Sequence, residues 1–182
     1  LWSNTYAINL VLGSLTVRNS ILGSMGASNY IYCSTSGETL ESDYNSIFIT
    51  NGAATGYEPG EPPRIYHTVS RWVRDTGNDE HSYAGDPLFY NASTGDFHLL
   101  SRGGRFNPAI TNFVLTDTRT SPLIDLGNPA SVYTNELPPN GKRCNIGLYA
   151  NSPEASKSVT NSELVVLSLN DGGRVEGAKA LN

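Results

Sequence analysis

TSPLIDLGNPASVYTNELPPNGKRCNIGLYANSPEASKS, residues 120–158, is the stretch whose reading decides the rest of the chain. Two short apolar knots, Pro122-Leu123-Ile124 and Asn145-Ile146-Gly147-Leu148-Tyr149, flank a polar loop of Gly, Pro and Asn. A helix does not fit. Pro138 and Pro139 lack backbone donors, and Gly127, Gly141 and Gly147 admit positive φ. By itself the stretch predicts two short strands joined by one wide turn.

Upstream, residues 1–50 alternate apolar and polar in short runs. These are Tyr6–Val11, Leu15–Leu22, Asn29–Tyr32 and Leu40–Thr50, each ended by Gly, Ser or Asn. Short strands between such turns fit a coil of three strands per turn. Asn19-Ser20-Ile21-Leu22 returns as Asn45-Ser46-Ile47-Phe48, an offset of 26 residues, although an Asn/Ser-rich chain can repeat four residues by chance. If the echo is real, Asn19 and Asn45 stack in adjacent coils and bond the backbone of each bend. That role is structural. Residues 51–64, NGAATGYEPGEPPR, read as an irregular loop, Ile65–Val69 as a strand, and the chain around Asn107-Pro108 as a hairpin.

The ordered motifs carry a resemblance. They run TGNDEHS (76–82), DPLF (86–89), GDFHL (95–99), SPLIDLGNP (121–129), NELPPNGKR (135–143), NIGLY (145–149) and EASKS (154–158). In this order they resemble the closing segment of a large family of secreted bacterial proteins. The body of those proteins is a right-handed parallel β-helix, the pectate-lyase-like solenoid. The likeness is close over 75–158 and looser before it. It implies an all-β chain: terminal coils of a right-handed parallel β-helix with a Gly/Pro-rich loop over 1–74, and an irregular capping segment over 75–158. It also implies a linker and the opening strands of a truncated immunoglobulin-like domain over 159–182, built on Leu164–Leu169, the turn at 170–173 and Arg174–Leu181. A β-sandwich is the alternative fold. The resemblance implies an extracellular or cell-surface location. The chain begins at Leu1 in mid-strand without a signal peptide and reads as a fragment. Most members of that family have no assigned activity.

Charged residues make up 16% of the 182, below the roughly 25% usual in soluble domains. A net charge of −5 and a pI near 5.1 leave no basic stripe for nucleic acid. No apolar run approaches the length of a membrane-spanning helix. Cys33 and Cys144 form no metal-binding pattern, and the sequence leaves open whether they pair.

Reactive constellations are scarce. Asp75, Asp79, Glu80 and Asp86 crowd 12 residues and could together hold calcium, though without the order of a known calcium loop. Otherwise no cofactor is implied. His67, His81 and His98 fall in no metal or triad spacing and read as packed or capping histidines, and no G-x-S-x-G is present. Lyases on the β-helix fold use calcium with an Arg or Lys base, and hydrolases use paired Asp. Here Glu38, Glu41 and Asp43 crowd one turn, with Arg18 one echo offset from Tyr44 and so beside Asp43. Aromatic side chains on a flat coil face could stack on sugar rings. The candidates are Trp2, Tyr30, Tyr32, Tyr44 and Trp72, with Tyr57 and Tyr66 beside them, against the reading that they pack between strands. The sequence thus expects a structural or adhesive module of a large secreted β-helix protein, without catalysis of its own. The alternatives are a carbohydrate-binding module and the C-terminal part of a polysaccharide lyase or hydrolase. Expected partners are polysaccharide or other cell-surface components and further domains of the parent protein, with no nucleic acid and no membrane span.

Overall fold

The computed structural model describes residues 5–34 and 37–160. Among them the chain is all-β, with helix confined to α1 (Val69–Thr76) and one 3-10 turn at Ala92–Thr94. Six strands come first: β1 (Tyr6–Leu10), β2 (Ser14–Val17), β3 (Ile21–Met25), β4 (Tyr30–Ser34), β5 (Thr39–Ser42) and β6 (Ser46–Thr50). Strand for strand, β1, β2 and β3 lie parallel beside β4, β5 and β6. β7 (Ala54–Glu58) then lies parallel beside β4. Three separate ladders of short strands result.

The register corrects the 26-residue echo. Tyr6 faces Tyr30 and Ile21 faces Ser46, offsets of 24 and 25 residues. Asn19 therefore lies beside Tyr44, and Ser20 beside Asn45. The expected Asn19–Asn45 stack does not form; the polar rung is Ser20, Asn45 and Ser82. Asn45 is fully buried, and its Oδ1 accepts from the Ser20 amide at 3.0 Å. Its Nδ2 donates to the Val17 carbonyl at 3.0 Å, and its own amide donates to Ser82 Oγ at 2.9 Å. The side-chain amide thus closes the backbone of the neighbouring bend at residues 17–20, and Ser82 does the same for the Asn45 amide. The bends themselves repeat a left-handed residue: Asn19 (φ 53) beside Tyr44 (φ 54), and Gly26 (φ 98) beside Asn51 (φ 52). Such positions favour Gly and Asn.

Residues 51–64 are not all loop. Ala54–Glu58 is β7, paired antiparallel with β8 (Arg64–Tyr66). Its small residues hide it from an apolar count, yet the packing demands them. A Cβ on Gly56 would sit 2.7 Å from the Trp72 ring. The strand expected over Ile65–Val69 stops at Tyr66. Thr68 then caps α1, accepting from the Arg71 amide at 3.3 Å, and Gly77 at φ 72 closes it. No third strand lies beside β5 among the described residues; α1 takes that place in the chain, burying Trp72. Asp79 then returns to β5 through its amide and the Ser42 carbonyl at 2.6 Å, and β9 (Tyr83–Ala84) runs parallel beside β6.

Val17, Leu22, Ile31, Tyr32, Ile47, Tyr66 and Trp72 form the core between the ladders. A second core of Leu99, Leu123 and Ile146 has Ile21 of β3 and Tyr83 of β9 packed against it. Around it lie two antiparallel hairpins, β10 (Phe89–Asn91) with β11 (Asp96–Leu99) and β12 (Arg105–Asn107) with β13 (Asn112–Val114). The second turns at Asn107-Pro108, where the sequence places it.

Residues 120–158 hold no strand, against the two expected there. In place of ladders, turns and single backbone bonds, such as the Ile146 amide to the Leu123 carbonyl and the Gly127 amide to the Cys144 carbonyl, share this backbone with side chains. Glu136 Oε1 accepts from the amides of Asn145 and Asn151, and Asp125 Oδ1 accepts from the Gly141 amide. The segment grips the Asn19 bend, where Asn19 Oδ1 accepts from the Asn128 amide and Asn19 Nδ2 donates to Ser131 Oγ. The immunoglobulin-like strands expected over Leu164–Leu169 and Arg174–Leu181 lie outside the described residues, as does Trp2.

Candidate functional site

The bend between β5 and β6 gathers Asp43, Tyr44 and His81 at the surface. Tyr44 in the left-handed conformation presents Asp43 toward the chain that follows α1. There the His81 ring meets it, with Nδ1 to Asp43 Oδ2 at 2.8 Å. The amides of His81 and Tyr44 also donate to Asp43 Oδ1, at 2.8 and 2.9 Å. Burial acts to raise the Asp43 carboxyl, but these hydrogen bonds outweigh it and hold the group below its usual value. The imidazole stacks on Tyr44, centroids 4.9 Å apart and 5° from parallel. Arg143 from the closing segment stands 5.6 Å from the Tyr44 ring, while its Nε and Nη2 donate to the carbonyls of Gly127 and Leu126. The result is a carboxylate–imidazole pair, an aromatic face and a guanidinium on one half-exposed surface. Such a set can orient a hydroxylated or anionic ligand, and a neutral imidazole so held can accept a proton.

Arg18 does not complete this set. It belongs beside Asp43 in register, but its guanidinium reaches Glu41 at 3.9 Å. Among the described residues the nearby hydroxyls are engaged elsewhere: Ser82 Oγ donates to Asp79 at 2.7 Å, and Ser20 Oγ to the Arg18 carbonyl. The meeting of Asp43 and His81 was not readable from spacing, because α1 interrupts the 25-residue period between them.

The proposed sugar-stacking residues separate into three groups. Tyr32 and Trp72 are 1% and 2% exposed and stacked on each other at 4.9 Å, so neither can meet a sugar. Both are core residues; burial drives the Tyr32 hydroxyl well above its usual pKa. Tyr66 is equally buried. Tyr30 remains half-buried in a surface trio, 5.8 Å from Tyr6 and 5.0 Å from Tyr57. Tyr44 is the half-buried residue in the His81 stack.

The four acids suggested for calcium do not converge. Asp79 is 1% exposed, and its Oδ2 accepts from Trp72 Nε1 at 3.0 Å. Its Oδ1 accepts from Ser42 Oγ, Ser82 Oγ and Asn45 Nδ2. Asp75 is tied to Arg64, Arg71 and Arg74 on the outer face of α1. Asp86 accepts from the Leu88 amide, and Glu80 is exposed. Among the described residues no cluster of three or more His, Cys, Asp or Glu is placed to hold a metal ion. The acids do not fit a shared calcium.

His98 is 2% exposed and stacked on Tyr149 at 3.7 Å, with Nδ1 on Asp96 Oδ1 at 2.6 Å. It pins the closing segment to β11. Arg105, buried against Asp117 at 3.0 Å and lying over the Tyr90 ring, pins β12. Cys33 and Cys144 are both buried and free. No described helix is long and apolar enough to cross a membrane.

Comparison with known proteins gives no family model, no curated protein and no solved structure that matches the chain.

Proposed function

We propose that the chain is a structural or adhesive module of a large secreted or cell-surface protein. In this reading residues 1–74 are the terminal coils of a right-handed parallel β-helix, and residues 75–158 are its capping segment. Three parallel ladders with offsets of 24 and 25 residues support the coil reading. Crossovers between parallel strands are right-handed in nearly all folds, which supports the hand. The observation that carries the function is the commitment of buried polar groups to the protein's own backbone and core. Asn45, Asp79, Glu136 and Arg105 all hold other parts of this chain. Such groups are scaffold, and an end exposing strand edges needs a cover. The test is incubation with pectate, alginate and neutral glycans, with calcium, following the unsaturated product and reducing ends. No turnover is expected. Turnover lost in His81→Ala or Asp43→Ala overturns the reading.

A second reading, carbohydrate binding, is favoured by one observation: the stacked Tyr44–His81 surface flanked by Asp43 and Arg143. A glycan array with the chain and its Tyr44→Ala variant separates it from the first. Glycan binding that the variant loses selects the second reading.

A further inference from the structure

The chain contains two Asn-Gly pairs, Asn51-Gly52 and Asn140-Gly141, and the fold holds them in opposite ways. At such a pair the next backbone nitrogen can attack the asparagine side-chain amide, because glycine puts no side chain in the way. At Asn140 every group this attack needs is bonded elsewhere. The Gly141 amide donates to Asp125 Oδ1 at 2.8 Å, and Asn140 Nδ2 donates to the Glu136 carbonyl at 2.7 Å. Asn140 Oδ1 accepts from the Lys142 amide at 3.3 Å. A Cβ on Gly141 would sit 2.5 Å from the Asp125 carboxyl, so that group lies directly against this peptide. Asn51 and Gly52 stand on the bend between β6 and β7, both exposed and both left-handed, at φ 52 and 84. The Ala53 amide closes that bend by donating to the Thr50 carbonyl at 3.1 Å. Among the described residues neither the Asn51 carboxamide nor the Gly52 amide has a hydrogen-bond partner.

We infer that Asn51 is a site of spontaneous covalent modification, and that the Asp125 contact shields Asn140 from the same reaction. The Gly52 nitrogen gives up its proton to a base in solution and bonds to Asn51 Cγ. The Cγ–Nδ2 bond breaks, and the side-chain nitrogen takes up a proton and leaves as ammonia. Water then opens the cyclic imide at either carbonyl, giving aspartate or isoaspartate, and no other reactant is needed. Both products place a negative charge on the bend. Isoaspartate also lengthens the backbone by a carbon, in the short link that sets Ala54 beside Tyr30. Before it reacts, Asn140-Gly141 must break its bonds to Asp125, Glu136 and Lys142, whereas Asn51-Gly52 has none of that kind to break. At the usual net worth of such bonds this slows Asn140 by at least about tenfold.

The full chain, held in mildly alkaline buffer at physiological temperature, tests this by peptide mapping with mass spectrometry and enzymatic methylation of isoaspartate. Conversion is expected at Asn51, with Asn140 at least about tenfold slower, and at similar rates at both sites in urea, where the fold no longer separates them. Asp125→Ala, which frees the Gly141 amide, should speed Asn140 and leave Asn51 unchanged. Asp125→Asn keeps an acceptor oxygen there and should leave both rates as they were. Far-ultraviolet circular dichroism identifies the variants that retain the fold, and the comparison of folded and urea-unfolded chain decides even where a variant does not. Equal rates in the folded chain, or a faster Asn140, overturn the inference. A rate difference that persists in urea overturns it too, because the sequence and not the fold then sets it. A folded Asp125→Ala chain in which Asn140 stays slow overturns the shielding by Asp125.

Discussion

Replacing Trp72 by Phe should cost about 2.5–4 kcal/mol of unfolding free energy, built from two terms. The indole Nε1–H donates to the buried Asp79 carboxylate at 3.0 Å, and a hydrogen bond to a charged group contributes about 1.5–3 kcal/mol. The smaller ring also leaves a void beside Tyr32, Tyr66 and Gly56, adding about 1 kcal/mol at the usual cost per cavity volume. Against a total stability of about 5–15 kcal/mol this is a large fraction. Urea unfolding followed by circular dichroism measures it. Asp79→Asn combined with Trp72→Phe supplies the sharper check. With no indole to satisfy, the amide faces an apolar ring, and the double variant should lose about 1–2 kcal/mol less than the two single losses added. A loss below about 0.5 kcal/mol for Trp72→Phe alone, or strict additivity, refutes the claim that Asp79 is the buried anchor under α1.

Gly56→Ala forces a methyl to within 2.7 Å of the Trp72 ring and should cost about 1–3 kcal/mol in the same urea experiment, with the far-ultraviolet spectrum of the folded state unchanged. Thr68→Ala removes the α1 cap and should cost about 1 kcal/mol. Burial raises the Glu136 carboxyl above its usual range. Its stabilising contribution is therefore complete below the unfolded pKa of about 4.3 and is lost as pH rises through the higher folded value. The difference in stability between the chain and Glu136→Gln should accordingly shift in favour of the variant as pH rises from about 4 to 7, read by thermal melts across that range; a pH-independent difference contradicts it.

The sequence makes the strands of residues 6–50 legible because their alternation is short and regular, and Asn107-Pro108 marks its hairpin. It misplaces the register by one residue. The echo through Asn19 and Asn45 is carried by identity, whereas the ladder is set by which residue can turn left-handed, and Tyr44 does so without being Gly or Asn. β7 is invisible because Ala54-Thr55-Gly56 is shaped to receive Trp72 rather than to present an apolar face. α1 does carry helical spacing in Val69, Trp72 and Val73, but the run is only eight residues long and follows directly on the apolar Ile65-Tyr66, so its first residue reads as the end of a strand. That insertion also conceals the Asp43–His81 pair, which lies across it. The acids near residue 79 look like a cluster in the sequence because they are close in the chain. In space Asp79 faces inward to Trp72 and Asp75 outward to three arginines. Linear proximity on a helix and its exit turn does not give convergence.

The scaffold rests on parallel strands stacked at a 25-residue offset, and a cross-link reads that offset directly. Thr16 and Glu41 are exposed register partners on β2 and β5. Opposite residues on neighbouring strands lie within the Cα separation a disulfide spans, about 4.4–6.8 Å. A Thr16→Cys/Glu41→Cys variant should oxidise under mild conditions to an intramolecular bridge, identified by peptide mapping, with buried Cys33 and Cys144 still reduced. A Thr16→Cys/Ser42→Cys variant, set at the 26-residue offset with residue 42 turned inward, should not. Bridging of the second pair and not the first, or of neither, contradicts the stacked scaffold.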